Sequence, residues 1–521
     1  ASATVLENQK LGVHPGAKQS GCAAGTAGED AFFCDYVVHT ILLDSQLGAT
    51  TEDRAKLLST GGLKIYTTLA PQDESAATNA VNYVMPSNSS TYNPSKNADT
   101  EVLIQPGTGD VRAIAEDRKY GPNTKDGQTE VDYAVNGQYG GQQGVQTGSS
   151  SKLFTLITAL EQGVPFAFQK TVTSPSVVSG YYDCAGNGTP PFTVNNSEGN
   201  ATGTYSLYTA TTGSINVFFA YLEQKVGLCN TVKTAAALGV TRVDGKSLFS
   251  PDGKSGTPNY QYPADDEPSF TLGTVAVSPM SMAAAYAVPA SGGMYCKPIV
   301  LTKVTDDAGQ SLPVPSAGCH RVISSEVAEA TNYILQGVLT GGTGAGLELS
   351  GYQAAGKTGT SNVASGNGTP YAAFAGYTTA LTGYVSVFNP VSPTTLTMVN
   401  QSACFRPEDS DYPHCYGEMF GANAPGSTWH MTFDHANLDG SQDFPQLSPY
   451  SSLWSGGNGQ VVKQPPKPKA PKPTKSGAPG GGGNGGGGGN GGGGGNGGGG
   501  GGGGGGTPPS TPPVPNPQLR Q

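Results

Sequence analysis

The stretch TGSSSKLFTLITALEQG, residues 147–163, decides the reading of the chain. From Ser149 to Gln162 its apolar residues Leu153, Phe154, Leu156, Ile157 and Leu160 recur at helical spacing, and Gly163 supplies a stop. Ser149 and Lys152 stand three residues apart at the start of this helix, so both belong to one face. A serine hydroxyl is a poor nucleophile until a base takes its proton, and a lysine does so only when neutral. Lys152 alone among the lysines has a serine three places before it, and Ser150 and Ser151 lack that spacing. The plain alternative is a capped helix with a solvated lysine.

Two further segments weigh against that alternative. GSIN (Gly213–Asn216) and GKTGTS (Gly356–Ser361) follow in the order of a known serine acyl-transfer motif set. Ser214 lies 65 residues after Ser149, and Lys357 another 143 residues on. Around them, GGLKIYTTL (61–69) reads as a strand and the alanine-rich run from Pro71 as a helix. EVLIQP and VRAIAE, joined by GTGD, form one hairpin, and YAAFAGYTT with LTGYVSVFN a second. Further helices are expected near 215–226, 279–288 and 327–339. Strands at both ends with helices between them predict an α+β fold with a central antiparallel sheet.

Composition divides the 521 residues in two. Residues 456–521 hold six Lys or Arg, no acidic residue, a Pro/Lys run at 463–475 and a glycine tract at 480–506 broken only by three asparagines. Such a tail cannot bury a core and is expected to be disordered. The other 455 residues carry about 16 more acidic than basic side chains, which argues against a nucleic-acid partner. No run of 18 apolar residues occurs, and the N-terminus lacks a signal-peptide pattern.

The eight cysteines form no CxxC pair, and disulfides outside the cytoplasm are the reading. Their clustering favours Cys22–Cys34, Cys296–Cys319 and Cys404–Cys415, leaving Cys184 with Cys229, although buried free thiols stay open. The six histidines are scattered, so no metal or other cofactor is expected, and no carboxylate pair stands out for glycosidase chemistry. The turns GTGD and GGTGAG lack the lysine of a phosphate loop.

With GGLKIYTTLAPQ, SSSKLFTLITALEQG, LGTVAVSPMSMAAAYAVPASGG, GVLTGGTGAG and AAGKTGTSN, residues 61–455 resemble the transpeptidase domain of bifunctional class A penicillin-binding proteins, and the tail is similar to extensions on actinobacterial members. Thr147 stands where the family usually has proline. The resemblance implies a D,D-transpeptidase of the penicillin-binding/β-lactamase-like fold, with peptidoglycan stem peptides as D-Ala-D-Ala donor and amine acceptor, and β-lactams as covalent inhibitors.

By the same carry-over, Ser149 is the nucleophile, Lys152 the general base, Ser214 a relay to the leaving amine, and Asn216 a holder of Lys152 and the substrate amide. Lys357, Thr358 and Thr360 recognise the substrate carboxylate, Gly359 admits substrate backbone, and the backbone N–H groups of Ser149 and Thr360 form the oxyanion hole. The rivals are a D,D-carboxypeptidase or β-lactamase, and a non-catalytic β-lactam sensor or wall scaffold. Residues 1–60 are expected to be a linker carrying a cysteine pair. The chain is expected to be an extracytoplasmic fragment without the membrane anchor or glycan-polymerising domain of the class, its tail open to wall, divisome or elongation partners.

Overall fold

The two hairpins expected from the sequence lie side by side in one five-stranded antiparallel sheet. Its strands are β1 (Ala98–Ile104), β2 (Val111–Glu116), β3 (Ala355–Ser361), β4 (Tyr371–Tyr377) and β5 (Thr382–Phe388), in the spatial order β3-β4-β5-β1-β2. The central pairing joins the hairpins, with Val102 opposite Tyr384 and Glu101 opposite Val385. The GKTGTS segment is therefore an edge strand, with Lys357 opposite Ala375 and Thr360 opposite Ala372. This computed structural model describes residues 21–23, 27–142, 144–197, 202–249, 264–362 and 368–454. The expected tail lies outside them.

Both faces of the sheet are covered. Successive strand residues point to opposite sides. Val102, Ile104, Ile114, Tyr384 and Phe388 join one core with helices α5 (Pro279–Ala290) and α6 (Ser325–Gly341). Leu103, Ala113, Phe374 and Val385 join another with α2 (Pro71–Val84) and α7 (Ala424–His435), through Ala77, Val81, Trp429 and Phe433. Each fully buried Leu, Val or Phe contributes on the order of 1.5–3 kcal/mol. All residues of β1, β4 and β5 are buried, Asp99 and Glu101 included, while the edge strand β3, AGKTGTS, leaves Thr360 partly exposed. Helices α3 (Lys152–Glu161) and α4 (Asn216–Val226) extend the first core beside the sheet's β3 edge. No helix among the described residues is long and apolar enough to cross a membrane.

The segment expected to be a linker carries a helix, α1 (Ala31–Leu43), that the sequence reading lacked. Its Phe32, Phe33, Tyr36, Val37 and Ile41 belong to the main core, and Cys34 ties it to Cys22. The other disulfides are Cys184–Cys229, Cys296–Cys319 and Cys404–Cys415, so all eight cysteines are paired as their clustering favoured.

Candidate active site

The sequence reading starts the TGSSSKLF helix at Ser149, but residues Gly148–Ser151 form a 3-10 turn and the α-helix begins at Lys152. The difference brings the pair together, because residues i and i+3 eclipse when there are three per turn. Lys152 Nζ lies 3.0 Å from Ser149 Oγ.

This turn is pressed onto the edge strand. Gly148 has φ +59°, and a Cβ there would stand 2.3 Å from the Thr360 carbonyl oxygen. A Cβ on Gly359 would stand 2.5 Å from the Thr147 carbonyl oxygen. Only glycine at both positions lets the backbones approach so closely, and the approach sets Ser149 beside Thr360.

Ser214 and Asn216 enter from the loop before α4 and its first residue. Besides Ser149 Oγ, Lys152 Nζ has within reach Asn216 Oδ1 at 2.6 Å, the Ser214 carbonyl at 2.7 Å and Ser214 Oγ at 3.1 Å. Asn216 Nδ2 donates to the Asn195 carbonyl at 3.0 Å, which fixes the amide orientation and leaves one of its two hydrogens for another partner. Lys357 Nζ donates to Ser214 Oγ at 2.9 Å and to the Thr358 carbonyl at 3.0 Å.

Both lysines are fully buried among neutral acceptors. Burial disfavours the ammonium form and pushes Lys152 well below the ordinary lysine range, with the nearby charge of Lys357 adding to the effect. Burial also brings Lys357 down to about 7. A neutral amine has two N–H donors and one lone pair. If the two shortest contacts of Lys152, Asn216 Oδ1 and the Ser214 carbonyl, take the donors, the lone pair is left for the Ser149 hydroxyl. Such an arrangement can deprotonate a serine without a histidine or a metal ligand at that position.

Around this centre lie further residues whose part in it no sequence motif marked. Ser150 Oγ donates to the Thr147 carbonyl at 2.8 Å and lies 2.9 Å from Tyr384 Oη, while Tyr286 Oη donates to the Ser150 carbonyl at 2.7 Å. Thr147 Oγ1 pairs with Ser151 Oγ at 2.6 Å. Thr343, in the GGTGAG turn, holds Thr358 Oγ1 at 2.7 Å. The Gly421 N–H donates to Thr360 Oγ1 at 3.3 Å, and this glycine packs directly over Gly359. The apolar runs around Tyr286 on α5 and Tyr384 on β5 marked these elements in the sequence, but nothing local signalled the hydroxyl partners.

The three motifs thus converge from α3, the loop before α4 and β3. The penicillin binding protein transpeptidase domain, taken as a family, matches residues 100–401. The chain belongs to this family. Penicillin-binding protein 1A of Mycolicibacterium smegmatis is 29% identical over 435 residues, covering 81% of this chain and 47% of that protein. Penicillin-binding protein 1A of Clostridium acetobutylicum is 30% identical over 335 residues, covering 61% and 37%.

Among solved structures, penicillin-binding protein PonA1 of Mycobacterium tuberculosis superposes with a TM-score of 0.57 at 27% identity, covering 79% of this chain and 94% of that one. Its complex with penicillin V gives the same TM-score at 26% identity. These resemblances support the penicillin-binding transpeptidase fold and the actinobacterial character expected from the sequence. The chain spans about half the length, or less, of the curated penicillin-binding proteins it matches.

Proposed function

We propose that this penicillin-binding protein is a serine D,D-transpeptidase that cross-links peptidoglycan stem peptides and is acylated by β-lactams. The observation that carries the proposal is the 3.0 Å contact between Ser149 Oγ and a buried Lys152 whose other short contacts are acceptors.

Ser149 Oγ attacks the carbonyl between the last two D-alanines while its proton passes to Lys152 Nζ. The N–H groups of Ser149 and Thr360 hold the resulting oxyanion, each such donor typically supporting about 10²- to 10³-fold in rate. Collapse breaks the C–N bond. The departing nitrogen takes a proton through Ser214, D-alanine leaves, and an ester remains on Ser149. An acceptor amine then attacks the ester carbonyl, its proton returns to the Lys152–Ser214 pair, and the new amide leaves Ser149 as the free hydroxyl. Lys357, with Thr358 and Thr360, receives the donor carboxylate. In a β-lactam the broken nitrogen stays tethered to the acyl group, so the ester persists.

Four disulfides support an extracytoplasmic setting, where peptidoglycan is assembled. Product analysis with a stem-pentapeptide donor and an amine acceptor tests the reading. Cross-linked product is expected, and release of D-alanine with hydrolysis alone would make the protein a carboxypeptidase instead.

A further inference from the structure

Far along the chain from the three motifs, the fold gathers Glu408, His430 and Asp434. Their ligand atoms all lie within 4.8 Å of one another. His430 Nδ1 is 2.7 Å from Glu408 Oε2 and 3.9 Å from Asp434 Oδ2. Their side chains are 21%, 33% and 37% exposed in the order His430, Glu408, Asp434, so an ion can reach them from solvent.

The framework behind the three is stiff. His430 and Asp434 stand one turn apart on α7, which is fixed to the sheet by the buried Trp429 and Phe433. Glu408 sits in a hairpin closed by the Cys404–Cys415 disulfide, and the Arg406 N–H at its base donates to the Val84 carbonyl at 2.8 Å. Two rigid elements thus present two carboxylates to one imidazole.

We propose that Glu408, His430 and Asp434 form a zinc site with a fourth, water-filled position. Four-coordinate zinc with N and O ligands near 2.0–2.2 Å places neighbouring ligand atoms about 3.3–3.6 Å apart. The two separations from Nδ1 bracket that value, so small side-chain rotations suffice. One imidazole with two carboxylates suits zinc better than calcium or magnesium, which prefer all-oxygen shells. The ion bridges residues on either side of the 416–423 segment, whose Gly421 lies over Gly359. Zinc would therefore clamp both ends of the segment that backs the substrate-carboxylate strand.

The test is calorimetric titration of the chelator-treated full chain with zinc chloride, without reductant, alongside thermal unfolding. One equivalent should bind and raise the melting temperature. His430→Ala should abolish that equivalent or weaken it at least about tenfold, since loss of even an outer-shell partner of a metal typically costs about that much, and Glu408→Gln should weaken it too. His414→Ala and His435→Ala should leave it unchanged. Absence of zinc binding, or a binding curve identical in the wild type and His430→Ala, overturns the proposal.

Discussion

Lys357 Nζ lies 2.9 Å from Ser214 Oγ, and the same hydroxyl is 3.1 Å from Lys152 Nζ, so one serine joins the two buried amines. Ser214 holds this place with φ +54°, a left-handed conformation that costs a non-glycine residue on the order of 1–3 kcal/mol. Ser214→Ala should lower the acylation rate by about 10²- to 10⁴-fold, the usual range for a proton-transfer group. Ser214→Gly should be equally slow yet more stable than the alanine variant, which denaturant unfolding measures. An alanine variant with wild-type acylation would remove the relay.

Under the proposed mechanism the two lysines set opposite limbs of a pH profile. Acylation needs Lys152 neutral, so the rate rises as its depressed pKa is passed from below. Binding of a carboxylate needs Lys357 charged, so the second-order rate constant for a penicillin falls as pH climbs through about 7. In Lys357→Met the acidic limb should move to higher pH, because the neighbouring charge that helps depress Lys152 is gone. Stopped-flow acylation between pH 5 and 9 measures both limbs. A flat profile above pH 7 would contradict the role given to Lys357.

Two tyrosine hydroxyls brace the turn that carries Ser149 from behind. Tyr384→Phe and Tyr286→Phe release the hydroxyl and carbonyl of Ser150, respectively, without touching substrate. Each should slow acylation by roughly tenfold, a loss of about 1.4 kcal/mol in transition-state stabilisation, with ligand affinity before acylation nearly unchanged. Separating the binding and acylation constants tests this. A change confined to binding would assign these tyrosines elsewhere.

Strand β1 buries a carboxyl group that favours the protonated form. Glu101 is fully enclosed and accepts from Thr432 of α7, and burial raises it to about 8. Its unfolded value is near 4.3, so the stabilisation from folding it uncharged is complete below that pH and disappears as pH rises through about 8. Between those limits Glu101→Gln should gain on the wild type by up to about 1.4 kcal/mol per pH unit. Urea unfolding at pH 5 and pH 8 measures the difference. Equal pH slopes in the two proteins would show that Glu101 folds charged.

Ser149, Lys152, Ser214, Asn216 and Lys357 were legible because their chemistry depends on short local spacings, and the flanking apolar runs showed which elements carry them. The two hairpins were legible through their β-rich runs and the short breaks, glycine-containing in the first, that join them. Helix α1 was not, since Phe32, Phe33, Tyr36 and Val37 crowd together without a clear polar face and follow a small-residue segment. Asp99 and Glu101 gave no sign of complete burial, because the hydroxyls that receive them, Thr428 and Thr432, lie more than 300 residues away on α7. Gly421 over Gly359, and Tyr384 behind Ser150, are likewise contacts created by topology.

Mass spectrometry with peptide mapping after brief exposure to penicillin tests the mechanism most directly. The proposed mechanism requires one adduct per chain, on Ser149, formed by the wild type and slowed by about 10²-fold or more in Lys152→Met. An adduct on Ser150 or Ser151, or unimpaired labelling of the Lys152 variant, would contradict it.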